Sequence, residues 1–97
     1  MPKAYFISTY HEVNNQDALA AYSKLAVPAL SAAGAKFLAR GIPAAAKESG
    51  KLQRTVLIEF ESLQAALDAY DSEAYQLAMK ELEGNAVVRD IRFVEGV

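Results

Sequence analysis

The chain has 97 residues, 10 basic against 12 acidic, one histidine and no cysteine. That is one small domain able to bury a single core, with disulfides, thiolate metal sites and multi-histidine metal sites all excluded. A formal net charge of -2 gives no electrostatic reason to seek nucleic acid or an anionic membrane surface. The opening "MPKAYFISTY" lacks the run and cleavage site of a signal peptide, and no segment approaches the roughly 20 apolar residues that span a bilayer. A soluble cytoplasmic protein is the expectation.

The first apolar run, Ala4 to Val13, is rich in aromatic and β-branched residues and reads as a strand. "NNQD" follows, where Asn14 or Asn15 suits a helix N-cap and Asp17 the positive end of the helix dipole. The helix is predicted from about Gln16 to Ala33, with Leu19, Tyr22, Leu25, Ala26, Ala29 and Leu30 mostly on one side. Pro28 interrupts it and Gly34 ends it.

"AKFLARGIP", Ala35 to Pro43, reads as a second strand, and Pro43 fits an edge position. Ser49-Gly50 is a plausible hairpin turn, and "RTVLIEF", Arg54 to Phe60, is the clearest strand. Ser62 caps a helix carrying Leu63, Ala66, Leu67 and Tyr70. Ser72 caps another carrying Tyr75, Ala78, Met79 and Leu82, which Gly84 ends. "AVVRDIRFVEGV" is the last strand.

The order β-α-β-β-α-β, with the second helix split, is the α+β ferredoxin-like arrangement over residues 1–97, an antiparallel sheet with its helices on one face. Val56, Ile58 and Phe60 form an apolar set for the helices, and so do Val87, Ile91 and Phe93, with Arg89 breaking the set. The opposite face mixes apolar and polar residues. A second copy packed face to face would cover it, so a homodimer through the sheet face is expected.

Over nearly its whole length the chain resembles the bacterial family called domain of unknown function 1330, of the dimeric α/β-barrel superfamily. The resemblance is carried by "AYFI", "PALSAAGAKFLARG", "VLIEFESLQAALDAYDSEAYQ" and "VEGV". Tyr70 stands where a tryptophan is common in the family and Lys80 where an arginine is common. The resemblance implies a ferredoxin-like fold and a homodimeric barrel, but no reaction. Superfamily relatives include cofactor-free oxygenases, isomerases and haem enzymes, among which fold alone does not choose.

Several residues are candidates for chemistry. A tight turn at Ser49-Gly50 places Arg40 opposite Glu59 on the face away from the helices. There the two form a cross-strand ion pair that specifies a dimer or a site where Arg40 holds an anion, or Arg40 is simply exposed to water. His11, at the end of the first strand, is the candidate base, with Glu59 to orient it. A histidine at a strand end is also commonly structural. Tyr5 and Tyr10 are candidate ligand contacts, with opposite strand parity. Tyr22, Tyr70 and Tyr75 occupy helical core positions and read as packing. No metal spacing, phosphate loop or catalytic triad is present, and no cofactor is expected. Two functions are compatible with this pattern. One is a small-molecule-binding protein or cofactor-independent enzyme for a small anionic or aromatic metabolite. The other is a non-catalytic module whose polar residues only specify the homodimer.

Overall fold

The computed structural model describes residues 2–97. Strand β1 (Ala4–Val13) leads into α1 (Gln16–Ala32), followed by β2 (Lys36–Gly41) and β3 (Thr55–Phe60). Helices α2 (Leu63–Asp71) and α3 (Glu73–Met79), with a 3-10 turn at Lys80–Leu82, precede β4 (Val87–Glu95). The strands form one antiparallel sheet in the order β2-β3-β1-β4, and the fold is ferredoxin-like.

Local chemistry sets the element ends. The Asn15 side chain accepts from the Ala18 amide at 3.0 Å. Ser62 accepts from Ala65, and Ser72 accepts from Tyr75. Each bond satisfies one amide that a helix start leaves free. Gly34 and Gly84 follow helical segments with φ of 96° and 78°, a region open to glycine without strain. Ser72 also donates to the Ala69 carbonyl, and its own extended backbone is the break between α2 and α3.

Alternation puts one side of each strand under the helices. Ala4, Phe6, Ser8 and Tyr10 of β1 and Val56, Ile58 and Phe60 of β3 are buried there. An aromatic cluster fills the middle: Phe6 lies 5.0 Å from Phe93 and 6.2 Å from Tyr75, both edge to face. Among the described residues no helix or strand covers the opposite sheet face, though the connection over residues 42–54 lines a pocket on it with Thr9, His11, Asp90 and Arg92. Ile7 and Leu57 are half-buried on that face, while Val88 and Val94 are exposed.

Strand β2 departs from the sequence expectation. The chain does not form a tight hairpin at Ser49-Gly50, because residues 42–54 run as a long connection. Its turn, closed by the Gly50 amide donating to Lys47 O, lies far from both strand ends. Lys36, not Arg40, pairs with Glu59, and a bulge between Phe37 and Ala39 then shifts the ladder. Arg40 falls opposite Val56 and so turns to the helix side. If every residue of β2 paired regularly from Phe37–Ile58 onward, Arg40 would meet Thr55 and face the other way, since a shift of one residue inverts every side chain beyond it.

Candidate functional site

A cleft opens between the sheet and α1, with about 340 Å³ of free space, its mouth included. The enclosed part of that space is only about 20 Å³, room for about one water, and the rest is open mouth. Strand β1 supplies the floor with Phe6, Ser8 and Tyr10. Helix α1 supplies one wall, where Ser23 and Ala26 are small enough to leave a slot. Val56 and Ile58 complete the apolar lining.

The polar lining is one-sided. Arg40, Arg54 and Arg89 all face the cleft, and its lining includes no aspartate, glutamate or histidine. None of the three arginines forms an ion pair among the described residues. Arg40 is exposed at the mouth, its guanidinium 5.6 Å from the Phe37 ring centre. Arg54 is half-buried with its guanidinium 5.7 Å from the Tyr10 ring centre, and its Nε has no hydrogen-bond partner. Ser8, only 2% exposed on the floor, likewise has an unpartnered hydroxyl. Buried polar groups without partners are uncommon and call for a reason.

Arg89 is engaged differently. Its Nη1 donates to the hydroxyls of Tyr10 at 2.9 Å and Tyr22 at 3.2 Å, and its Nη2 to Tyr75 at 3.3 Å and the Met79 sulfur at 3.1 Å. Tyr22 and Tyr75 also bond each other at 2.6 Å. Burial works against the Arg89 charge, but the phenolic oxygens of Tyr22, Tyr75 and Tyr10 outweigh it and raise its pKa above the ordinary value. Burial and the Tyr22 neighbour push the Tyr75 phenol up, so it stays protonated.

The other sheet face holds the remaining candidates. His11 Nε2 lies 2.8 Å from Asp90 Oδ2, and Arg92 Nε is 3.2 Å from Asp90 Oδ1. That second contact is an ion pair only, because Oδ1 makes no hydrogen bond. The Thr9 hydroxyl, His11 and Arg92 hold Asp90 below the ordinary carboxylate value. Glu59 accepts from the Tyr5 hydroxyl at 3.3 Å and lies 3.8 Å from Lys3. Since Tyr5 pairs with Glu59, His11 sits six residues further along β1, about 20 Å away at strand spacing. The partners expected from sequence are therefore corrected: His11 meets Asp90, not Glu59, and Arg40 meets neither. Arg40 and Tyr10 share the cleft, while His11, Glu59 and Tyr5 lie on the opposite face.

Arg54, Arg89, Ser8, Tyr22 and Tyr75 were not singled out from the sequence as site residues. The available signal was Arg89, a cation at a helix-facing position of an otherwise apolar strand set. Arg54 shares parity with Val56, which places it on the same side.

The profile of the family described as Domain of unknown function (DUF1330) matches residues 3–97. The chain belongs to this family. No curated protein matches it. Among solved structures it is similar to the RPA0582 protein of unknown function from Rhodopseudomonas palustris, with a TM-score of 0.75 at 16% identity over 99% of this chain and 83% of that one. It is also similar to a Nitrosomonas europaea protein provisionally assigned as an antibiotic biosynthesis monooxygenase. There the TM-score is 0.62 at 10% identity, over 98% and 89% of the two chains. A dimeric ferredoxin-like protein of unknown function from Thermobifida fusca matches at 0.55 and 11%, over 98% and 92%. At these identities the likeness concerns the fold. Among the described residues no helix is long and apolar enough to cross a membrane.

Proposed function

We propose that this DUF1330 protein binds a small organic anion in the cleft between the sheet and α1, and that it works as a homodimer through the bare sheet face. The observation that carries the binding reading is the set of three arginines with no carboxylate to neutralise them, in a protein whose net charge is negative. A cationic cleft with apolar walls attracts and orients an anion with an apolar body. The cleft offers arginines and phenols but no group that is a base at neutral pH, and His11 faces away. Within one protomer the arrangement therefore supports binding rather than acid–base catalysis.

The dimer reading rests on an uncovered, partly apolar sheet face and on the likeness to a neighbour described as dimeric. Analytical ultracentrifugation at micromolar concentration should give twice the chain mass, and Leu57→Glu, which puts a charge on that face, should give monomer. A monomeric wild type overturns this part.

The binding reading is tested by thermal shift against a panel of small organic anions, each beside its neutral amide, for wild type and Arg54→Met. Anions should stabilise the wild type and fail to stabilise the variant. If no anion shifts the wild type, or if the variant responds equally, the arginines serve the fold or the dimer and not a ligand.

A further inference from the structure

The sheet face away from the helices holds what the cleft lacks, a base. Beside the connection over residues 42–54 lies an open hollow of about 390 Å³. That falls within the roughly 300–1,000 Å³ of small-molecule sites. Three segments bring charge to it: β1 contributes His11, β4 contributes Asp90 and Arg92, and the connection contributes Lys51. Asp90 is the one carboxylate in the lining, beside two cations.

The proton between His11 and Asp90 has an assignable place. The Thr9 hydroxyl, His11 and Arg92 hold Asp90 below the ordinary carboxylate value, so at neutral pH it only accepts. Its Oδ2 lies 2.8 Å from His11 Nε2. In the neutral ring Nε2 therefore carries the proton, and Nδ1 keeps its lone pair. Nδ1 has no hydrogen-bond partner among the described residues, and 43% of the His11 side chain is exposed. Asp90 is thus a positioning residue that fixes the tautomer of His11.

The two cations are open to a ligand. Arg92 approaches Asp90 through Nε at 3.2 Å without a hydrogen bond and is largely exposed. Lys51 forms no ion pair among the described residues. A base beside a cation is the pairing that removal of a proton from carbon requires. The base takes the proton and the cation stabilises the oxyanion that forms. A second cation suits a carboxylate next to the reacting carbonyl.

We infer that this hollow is a proton-transfer site for small 2-oxo acids, with His11 Nδ1 as the general base. The C–H bond next to the carbonyl breaks and its proton goes to Nδ1. Its electron pair forms the carbon–carbon double bond of the enolate as the carbonyl π pair moves onto oxygen. Arg92 and Lys51 hold the enolate oxygen and the carboxylate. Return of the proton to carbon restores the 2-oxo acid and the neutral ring, so the cycle consumes nothing. This activity goes beyond the cleft reading and does not rest on it.

Deuterium exchange tests it, using the full chain in its own oligomeric state. Pyruvate in D2O is followed by the loss of its methyl proton NMR signal, beside protein-free buffer. Wild type should accelerate exchange by roughly a hundredfold, the lower range for a positioned base, and the rate should saturate with pyruvate. Acetone has the same C–H beside a carbonyl but no carboxylate, and should exchange at the buffer rate. His11→Ala should fall to the buffer rate with an unchanged circular dichroism spectrum, and added imidazole should restore part of the loss. Asp90→Asn should lower kcat with KM nearly unchanged, and Arg92→Met should raise KM. The proposal is overturned if wild type gives no acceleration or accelerates acetone equally. It is also overturned if His11→Ala keeps the wild-type rate or loses it without rescue by imidazole. None of these outcomes bears on the anion cleft, which is read by Arg54-dependent stabilisation.

Discussion

Replacing Tyr75 with phenylalanine separates the hydroxyl from the ring. The ring is fully buried, 5.3 Å from Tyr70, 6.0 Å from Tyr22 and 6.2 Å from Phe6, and all of these contacts survive the change. What is lost is the 2.6 Å bond to Tyr22 and the 3.3 Å bond from Arg89. A neutral bond contributes about 1 kcal/mol net and one to a charged group about 1.5–3, the longer contact falling at the low end. Together they predict a loss of about 2.5 kcal/mol. For a domain of this size that lowers the melting temperature by about 10–20 °C. Urea denaturation at pH 7 and fixed protein concentration should show a lower midpoint at unchanged slope. Tyr75→Ala, which also empties the ring's place, should cost about 3–5 kcal/mol. A Tyr75→Phe protein within about 0.5 kcal/mol of wild type would refute the claim that these phenols and Arg89 form one satisfied network.

Three further outcomes follow from the structure. Asp90 is held below its ordinary value of 3.8, so its contribution to stability is complete above that pH and is lost as pH falls through the lowered value. Stability measured between pH 2 and 5 should therefore fall less steeply with acid in Asp90→Asn, and parallel curves would count against the His11–Asp90–Arg92 arrangement. Gly84→Ala meets no atom within 4 Å but must hold φ near 78°, so it should destabilise by about 1 kcal/mol from backbone strain alone, read by denaturation. Deleting Leu38 removes the bulge yet leaves Phe37 opposite Ile58 and Arg40 opposite Val56. Cross-strand NMR contacts for both pairs should persist, and loss of the Arg40–Val56 contact would show that Leu38 is not the inserted residue.

The element order, the caps at Asn15, Ser62 and Ser72 and the helix-facing sets of β3 and β4 were legible in the sequence. Each depends on periodicity or on a residue type whose preference is local. The parity of Tyr5 and Tyr10 was legible for the same reason, since alternation along a regular strand needs no partner. The pairing of β2 was not. It depends on a long connection over residues 42–54 and on one bulged residue, and neither leaves a periodic mark. That single residue decides that Arg40 joins the cleft and not the open face. The same limit hid the partnership of His11 with Asp90, 79 positions apart, which a second bulge in β1 after Tyr10 helps set. Sequence alone determined that a cation, Arg89, interrupts an apolar strand face. Only the tertiary structure decided its surroundings, because three tyrosines from β1, α1 and α3 converge on it there, and convergence of distant segments is a property of packing and not of the order of residues.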